Sequence, residues 1–185
     1  MNRNEIDELG KFCKRLVICI FIFLCCDLIF VILFKTKFML SYIPTESMEN
    51  TILAGDFIFG MRTDVEADDL KRYDILSFIP PDSPDAIYIK RLIGLPGETI
   101  RIENGRVYAD GMELDDSFVL EAEDDSGDGT YEIPEGCYFF LGDNRDNSED
   151  SRFWEEKYVP LENIRSKAKR IIFPFSHACS LEYEE

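Results

Sequence analysis

The feature that most constrains this 185-residue chain is an apolar run near its N-terminus, LVICIFIFLCCDLIFVILF, residues 16–34. A helix of about 20 apolar residues crosses a hydrocarbon layer of about 30 Å, so the run has the length of a transmembrane helix. It exceeds the roughly 7 to 15 apolar residues of a cleavable signal peptide, and no A-x-A-like motif follows it. The sequence therefore predicts a retained membrane anchor.

Basic residues flank this run unevenly. Lys11, Lys14 and Arg15 precede it closely, whereas only Lys35 and Lys37 follow it closely. Because Lys and Arg remain preferentially on the cytoplasmic side, the excess predicts a cytoplasmic N-terminus. We therefore expect a cell-membrane protein that crosses the bilayer once. Residues 1–15 would be cytoplasmic, residues 16–34 would span the bilayer, and residues 35–185 would form the outer domain.

One charge, Asp27, lies within the predicted anchor. A carboxylate at the centre of a membrane helix costs about 2.5 to 3.5 kcal/mol on insertion scales, which the surrounding Leu, Ile, Val and Phe residues offset. Two interpretations stay open, a tolerated defect and a contact with another membrane helix.

The chain is strongly acidic, with 20 Lys and Arg against 37 Asp and Glu and a net charge of −17. Nucleic acid is therefore excluded as an expected partner, because phosphate binding requires clustered cations. The acidic stretch 121–136 predicts an exposed loop or mobile insertion. It lacks the glutamate that a calcium loop needs at its twelfth position.

Cysteine and histidine usage indicates no metal site. Four of the six cysteines lie in or beside the anchor, where they act as small apolar side chains, and a disulfide between Cys137 and Cys179 stays open. His177 and Cys179 supply only two candidate ligands, so we expect no metal and no cofactor. His177 is interpreted as an incidental surface residue.

Short apolar segments between turn signals predict strands throughout the outer domain: DFIFG, DILSFI, AIYIKRLIG, CYFFLGDN and AKRIIFPF. The clearest case is TIRIENGRVYA, in which Ile100 and Ile102 alternate with polar residues before an Asn104-Gly105 hairpin turn. The fold class predicted is mainly β, an antiparallel sheet domain behind a single N-terminal transmembrane helix.

Three segments carry residues suited to catalysis: IPTESMENTI (43–52), YIKRLIGLPGE (88–98) and GDNRDNSEDSR (142–152). Lys90 lies in an apolar strand pattern, where a lysine usually extends its amine to solvent. The alternative is a buried amine whose pKa is lowered, which can take a proton from a serine. The third segment could be a solvated turn or a hydrogen-bonded support for a catalytic neighbour.

Together with YDILSF (73–78), these segments resemble the conserved boxes of bacterial type I signal peptidases, membrane-anchored serine endopeptidases that cleave signal peptides from preproteins after small residues. The resemblance covers roughly residues 40–175, with the boxes in the family order. It implies a Ser-Lys dyad in place of a Ser-His-Asp triad. Ser47 lies 13 residues beyond the predicted anchor, at most about 45 Å of extended chain, so the serine is expected near the membrane face.

The resemblance also implies a role for each matching residue. Ser47 corresponds to the nucleophile, Lys90 to the general base, Thr45 to the side-chain donor of the oxyanion hole, and Ser148 to the serine that orients the lysine amine. Asp150 and Arg152 match a supporting ion pair. Asp143 and Arg145 match structural residues of the same box. The residues that match the small substrate pockets are Ile43, Pro44, Met48, Ile52, Tyr88 and Ile89.

The chain departs from the family pattern after the nucleophile, where Asn50 replaces the usual proline. Loss of that fixed φ is expected to loosen the turn, although activity is expected to be retained. The predicted partners are preproteins with signal peptides and the lipid bilayer. The alternative is a catalytically silent, membrane-anchored β module that binds exported chains.

Overall fold

The computed structural model describes residues 3–62, 70–120 and 127–183, with side chains from Gly10 onward. The chain divides into two compact units, Met1–Lys37 and Phe38–Glu185. The prediction for residues 121–126, part of the acidic stretch, lies outside the described residues.

The first unit contains one helix, α1, at Arg3–Lys37, and the predicted anchor 16–34 lies within it. Its segment Gly10–Lys37 is long and apolar enough to cross a membrane, with a mean hydropathy of 3.2 in its most apolar window. The Leu, Ile, Val and Phe side chains along that segment are exposed to its surroundings almost throughout. Such a surface fits a lipid environment better than water.

The described part of the second unit forms eleven strands: β1 Phe38–Tyr42, β2 Phe57–Met61, β3 Ile75–Phe78, β4 Tyr88–Gly94, β5 Thr99–Glu103, β6 Arg106–Ala109, β7 Met112–Glu113, β8 Gly129–Glu132, β9 Cys137–Leu141, β10 Val159–Pro160 and β11 Ile164–Phe173. Seven form a sheet in the order β1-β2-β11-β3-β4-β9-β10, and four form a second sheet in the order β7-β6-β5-β8. Every strand pairing is antiparallel, which confirms the predicted mainly β fold class.

The predicted hairpin of the smaller sheet is confirmed. Strands β5 and β6 pair with Ile102 opposite Val107, and Ile100 and Ile102 are buried. Asn104 and Gly105 adopt φ values of 52° and 75°, the left-handed conformation that a two-residue turn between twisted strands requires.

The expectation of a loop across 121–136 is wrong for Gly129–Glu132, which is strand β8. This strand pairs with β5, and Tyr131 is buried beside Ile100 and Phe139. A single aromatic residue among acidic ones carries a weak sequence signal. It forms a strand here because an open sheet edge and an apolar core are available to it.

Strand β1 was not among the predicted strands, because its residues directly continue the apolar run. It pairs with β2 from Phe38 opposite Met61 to Tyr42 opposite Phe57. Its C-terminal end leads into a buried cluster that contains Ile43, Met48 and Ile52. This cluster supports the turn that carries Ser47.

Candidate active site

The segment after β1 makes a tight turn that presents Ser47. The backbone N–H groups of Thr51 and Ile52 both donate to the carbonyl oxygen of Met48, at 3.1 and 2.7 Å. The Met48 and Ile52 side chains are buried below the turn, and Ser47 itself is 8% exposed. The buried Met48 and Ile52 side chains thus hold the turn in place and leave the serine at the edge of a cavity.

Strand β4 supplies the second candidate catalytic group. Lys90 pairs with Leu76 of β3, and its side chain is 4% exposed. Its Nζ lies 2.5 Å from Ser47 Oγ, although the two residues are 43 positions apart in the chain. The Tyr88 ring centroid is 5.8 Å from the same nitrogen. Sheet register and the turn at residues 47–52, called the nucleophile turn after the role expected of Ser47, therefore bring a serine and a lysine into direct contact.

Burial changes the acidity of this lysine. Desolvation lowers the pKa of the Lys90 ammonium to about 8, opposed by the carboxylates of Asp150, Asp143 and Glu149 and assisted by the Arg152 cation. One pH unit below its pKa, about a tenth of the lysine is neutral. A neutral amine at this distance can accept the Ser47 proton, which an ammonium cannot do.

The residue after Lys90 ties the site together through a buried ion pair. Arg91 donates from Nε to Asp143 Oδ1 at 2.8 Å and from Nη2 to Asp143 Oδ2 at 2.6 Å. Thr51 donates from Oγ1 to the same Oδ2 at 2.5 Å. Asp143 thus joins strand β4 to the nucleophile turn, a connection that the sequence did not reveal.

A second buried ion pair orders the rest of the 142–152 segment. Asp150 accepts from Arg152 Nε at 2.8 Å and Nη2 at 3.0 Å, and from the Gly142 backbone N–H at 3.0 Å. Arg152 also donates to the Arg145 carbonyl oxygen, and Arg145 Nε donates to the Gly142 carbonyl oxygen at 3.1 Å. The segment is a hydrogen-bonded support rather than a solvated turn.

Thr45 and Ser148 carry the two other hydroxyls expected in the site, and they differ in burial and in hydrogen bonding. Thr45 is an exposed residue whose Oγ1 lies 3.5 Å from Ser47 Oγ, within reach of a group bound at the serine. Ser148 is buried, and its Oγ has no hydrogen-bond partner among the described residues. The expected bond from Ser148 to the lysine amine is therefore absent from this structure.

All six residues expected to form substrate pockets line one cavity of about 650 Å³ beside Ser47 and Lys90. Ile43, Met48 and Ile52 form its buried apolar wall, and Tyr88 and Ile89 approach from β4. An apolar wall of this kind favours apolar side chains over charged ones, because a charge there would lose its hydration.

The turn after Ser47 contains Asn50 in place of the usual proline. Asn50 has a φ of 86°, which proline cannot adopt because its ring fixes φ near −65°. The Asn50 side chain donates from Nδ2 to the Phe118 carbonyl oxygen at 3.0 Å. This hydrogen bond constrains a turn conformation that a proline at position 50 could not adopt, and the expectation of a loosened turn stays a prediction.

The interpretation of His177 as incidental is wrong. Its Nδ1 lies 3.0 Å from Asp56 Oδ2, and Asp56 is buried. Asp56 also accepts from the Leu53 N–H at 2.9 Å, and its own carbonyl oxygen accepts from the Ile43 N–H. His177 therefore contacts Asp56, which supports the nucleophile turn, and no local sequence pattern signals a contact between residues 121 positions apart.

Neither Cys137 nor Cys179 forms a disulfide. Within the described ranges, no group of three or more His, Cys, Asp or Glu side chains is arranged to hold a metal ion.

Comparison with known proteins gives a consistent result. A profile described as "Signal peptidase, peptidase S26" matches residues 13–173. The chain is 37% identical over 134 residues to signal peptidase I of Leptolyngbya laminosa, covering 69% of this chain and 64% of that protein. It is 36% identical over 132 residues to the probable signal peptidase I-2 of a Synechocystis species, covering 69% and 59%.

The match thus spans about three fifths of the length of these two relatives. Among solved structures, a crystal structure of a signal peptidase I from Enterococcus faecalis V583 is similar at 30% identity and a TM-score of 0.47. That similarity covers 54% of this chain and 96% of the other.

Proposed function

The chain belongs to the peptidase S26 family of signal peptidases, and from this premise we propose that it cleaves signal peptides from exported preproteins with Ser47 as nucleophile and Lys90 as general base. The observation that carries the proposal is the 2.5 Å contact between Lys90 Nζ and Ser47 Oγ in a buried setting.

In the first step, neutral Lys90 accepts the Ser47 proton while Ser47 Oγ attacks the carbonyl carbon of the scissile peptide bond. The carbonyl π electrons move to its oxygen, which becomes the oxyanion. The carbon–nitrogen bond then breaks, and the Lys90 ammonium returns the proton to the leaving amine. An ester between Ser47 and the signal peptide remains.

The oxyanion needs preorganised donors. The Ser47 backbone N–H and the Thr45 hydroxyl, whose oxygen is 3.5 Å from Ser47 Oγ, are suited to this role. A donor of this kind contributes about 2.7 to 4 kcal/mol to transition-state stabilisation. In the second step, Lys90 accepts a proton from a water molecule whose oxygen attacks the ester carbonyl carbon. The bond from that carbon to Ser47 Oγ then breaks, the Lys90 ammonium returns the proton to Ser47 Oγ, and the signal peptide leaves with a free carboxylate.

The apolar cavity wall supports a preference for alanine-like residues before the cleaved bond, as in A-x-A sites. Helix α1 would hold the catalytic unit at the cell membrane, with the N-terminus in the cytoplasm and the site outside. Because a signal peptide occupies the same membrane, the shared location raises its effective concentration at the enzyme.

The test is cleavage in vitro of a preprotein with an A-x-A site by the full chain in detergent. Ser47→Ala and Lys90→Ala are each expected to abolish turnover without loss of folding, whereas the exposed-residue controls Ser117→Ala and Lys71→Ala retain it. Full cleavage by either dyad variant contradicts the proposed mechanism. Binding of the preprotein without cleavage by the unaltered chain would instead support a silent binding module.

A further inference from the structure

Resting on the proposed function, we propose that Glu46 and Glu149 are specificity-determining residues for the substrate segment after the cleaved bond, and that they favour preproteins whose first mature residues include Lys or Arg.

The lining of the catalytic cavity includes two parts of different chemistry. The apolar part, with Ile43, Tyr88 and Ile89, comes from the residue directly after β1 and from the beginning of β4. Arg62 also lines the cavity, and its Nε donates to the carbonyl oxygen of Phe38 at the beginning of β1. A second, polar part consists of Glu46, Asn147 and Glu149, from the nucleophile turn and the 142–152 segment.

The position of the nucleophile assigns these two parts to the two halves of a substrate. A protease nucleophile must lie at the carbonyl carbon of the cleaved bond, so an extended peptide continues past Ser47 in both directions. If the small residues before the bond occupy the apolar part, the residues after it leave along the carboxylates. Glu46 and Glu149 therefore face the first residues of the mature protein.

Both carboxylates are available to a cation in the substrate. Glu46 and Glu149 are exposed, and neither forms a salt bridge with a described residue. Asn147 Nδ2 lies 3.4 Å from Glu46 Oε2, a neutral contact that leaves the negative charge uncompensated. Lys and Arg side chains are attracted to these two carboxylates, and Asp and Glu side chains are repelled from them.

Glu149 also acts on the dyad itself. Its charge is among those that raise the pKa of Lys90. A substrate cation beside Glu149 would cancel part of this field and increase the fraction of neutral Lys90. A basic mature N-terminus is therefore expected to improve both binding and the first chemical step.

The experiment uses the full chain in detergent and three preproteins that share one signal peptide and A-x-A site. They differ only in the first three mature residues, which contain Lys, Gln or Glu at matched positions. We expect kcat/KM to be about threefold to tenfold higher for the Lys form than for the Gln form, and lower again for the Glu form. The spread should shrink in about 0.5 M salt.

Variants connect this preference to the two residues. Glu149→Gln and Glu46→Gln should each bring the ratio of kcat/KM for the Lys and Glu substrates closer to one, and Glu149→Lys should reverse it. Glu156→Gln removes the same charge from an exposed residue outside the cavity and should leave the ratio unchanged.

Equal cleavage of the three preproteins by the unaltered chain overturns the specificity but leaves the proposed protease function intact. If the unaltered chain cleaves none of the three preproteins, the protease function is contradicted. The specificity is then tested by measuring binding affinities instead of cleavage. The Ser47→Ala chain should bind the Lys form more tightly than the Glu form, and equal dissociation constants overturn the inference.

Discussion

Strands β4 and β5 are consecutive in the chain, yet the pattern of buried and exposed side chains differs between them. Strand β5 alternates, with Ile100 and Ile102 in the core and polar side chains facing outward. Strand β4 is buried over most of its length and carries two adjacent cations, Lys90 and Arg91, inside the protein. Regular alternation stabilises a sheet, whereas its violation in β4 produces a buried amine with a lowered pKa and a buried ion pair.

The two cations of β4 differ from one another as well. Arg91 remains charged and is compensated by Asp143. Lys90 has no ion-pair partner among the described residues, so burial lowers its pKa to about 8. The same strand therefore shows the two available responses to a buried charge, pairing and partial neutralisation.

The largest expected effect comes from one substitution in each strand, of which one should change kcat/KM and the other the free energy of unfolding. Lys90→Met removes the amine but retains an apolar stem, so kcat/KM should fall about 10²-fold to 10⁴-fold. The melting temperature should not fall, because a poorly solvated charge has been removed. In β5, Ile102→Ala should lower the free energy of unfolding by about 2 to 5 kcal/mol and leave kcat/KM of the folded fraction unchanged.

Thermal melts and preprotein cleavage on the same samples measure both quantities. A destabilised Lys90→Met, or a folded but inactive Ile102→Ala, would remove the distinction between the two strands.

The next effect compares buried and exposed ion pairs. Asp143→Ala leaves the Arg91 charge buried without its partner and should cost about 3 to 5 kcal/mol of folding free energy. In the smaller sheet, Arg106 and Glu113 form an exposed pair that water and salt screen, so Glu113→Ala should lower the free energy of unfolding far less. Urea denaturation of both variants tests this, and equal losses would contradict it.

A third comparison concerns two glycines. A Cβ at Gly142 would lie 2.2 Å from Ser148 Oγ and 2.4 Å from the Ser47 carbonyl oxygen. Gly142→Ala should therefore displace the nucleophile and lower kcat about 10²-fold. Gly111, in the turn between β6 and β7, has a φ of 85° and open space around it. Gly111→Ala should cost about 1 to 2 kcal/mol of stability without affecting kcat.

Steady-state kinetics combined with denaturation curves distinguish these outcomes. Wild-type kcat in a folded Gly142→Ala variant would show that the close approach has no catalytic role.

The smallest effect is on pH dependence. Lys90 must be neutral to act as a base, so kcat/KM should fall about tenfold per pH unit below about pH 8 and level off above it. Glu149 raises this pKa, so Glu149→Gln should move the midpoint to lower pH by a fraction of a unit. Glu103→Gln on β5 should leave it unchanged. A profile flat from pH 6 to 9 would contradict Lys90 as the base.

Elements with strong local patterns were predictable. The apolar run, the Asn104-Gly105 hairpin and the apolar segments of β2, β3, β4, β9 and β11 all carry their signal in neighbouring residues. Strands β1 and β8 were not predicted, because β1 merges with the apolar run and β8 holds one buried aromatic residue among polar ones. Their strand conformation depends on partners that are distant in sequence.

The candidate site divides in the same way. Ser47 and Lys90 could be singled out from their segments and from the resemblance that those segments carry. The left-handed conformation of Asn50, the Arg91–Asp143 pair and the contact of His177 with Asp56 could not. Each of the last two joins residues more than 50 positions apart, and no local pattern encodes such a contact.

The sequence by itself therefore determined the apolar helix and the mainly β fold class, because these depend on local periodicity and composition. It singled out Ser47 and Lys90 only through the resemblance of their segments to a known family. Only the tertiary structure decided that Lys90 meets Ser47 and that its charge is poorly solvated. Desolvation and hydrogen bonding arise from the atoms surrounding a group, and those atoms come from β3, β4, the nucleophile turn and the 142–152 segment together.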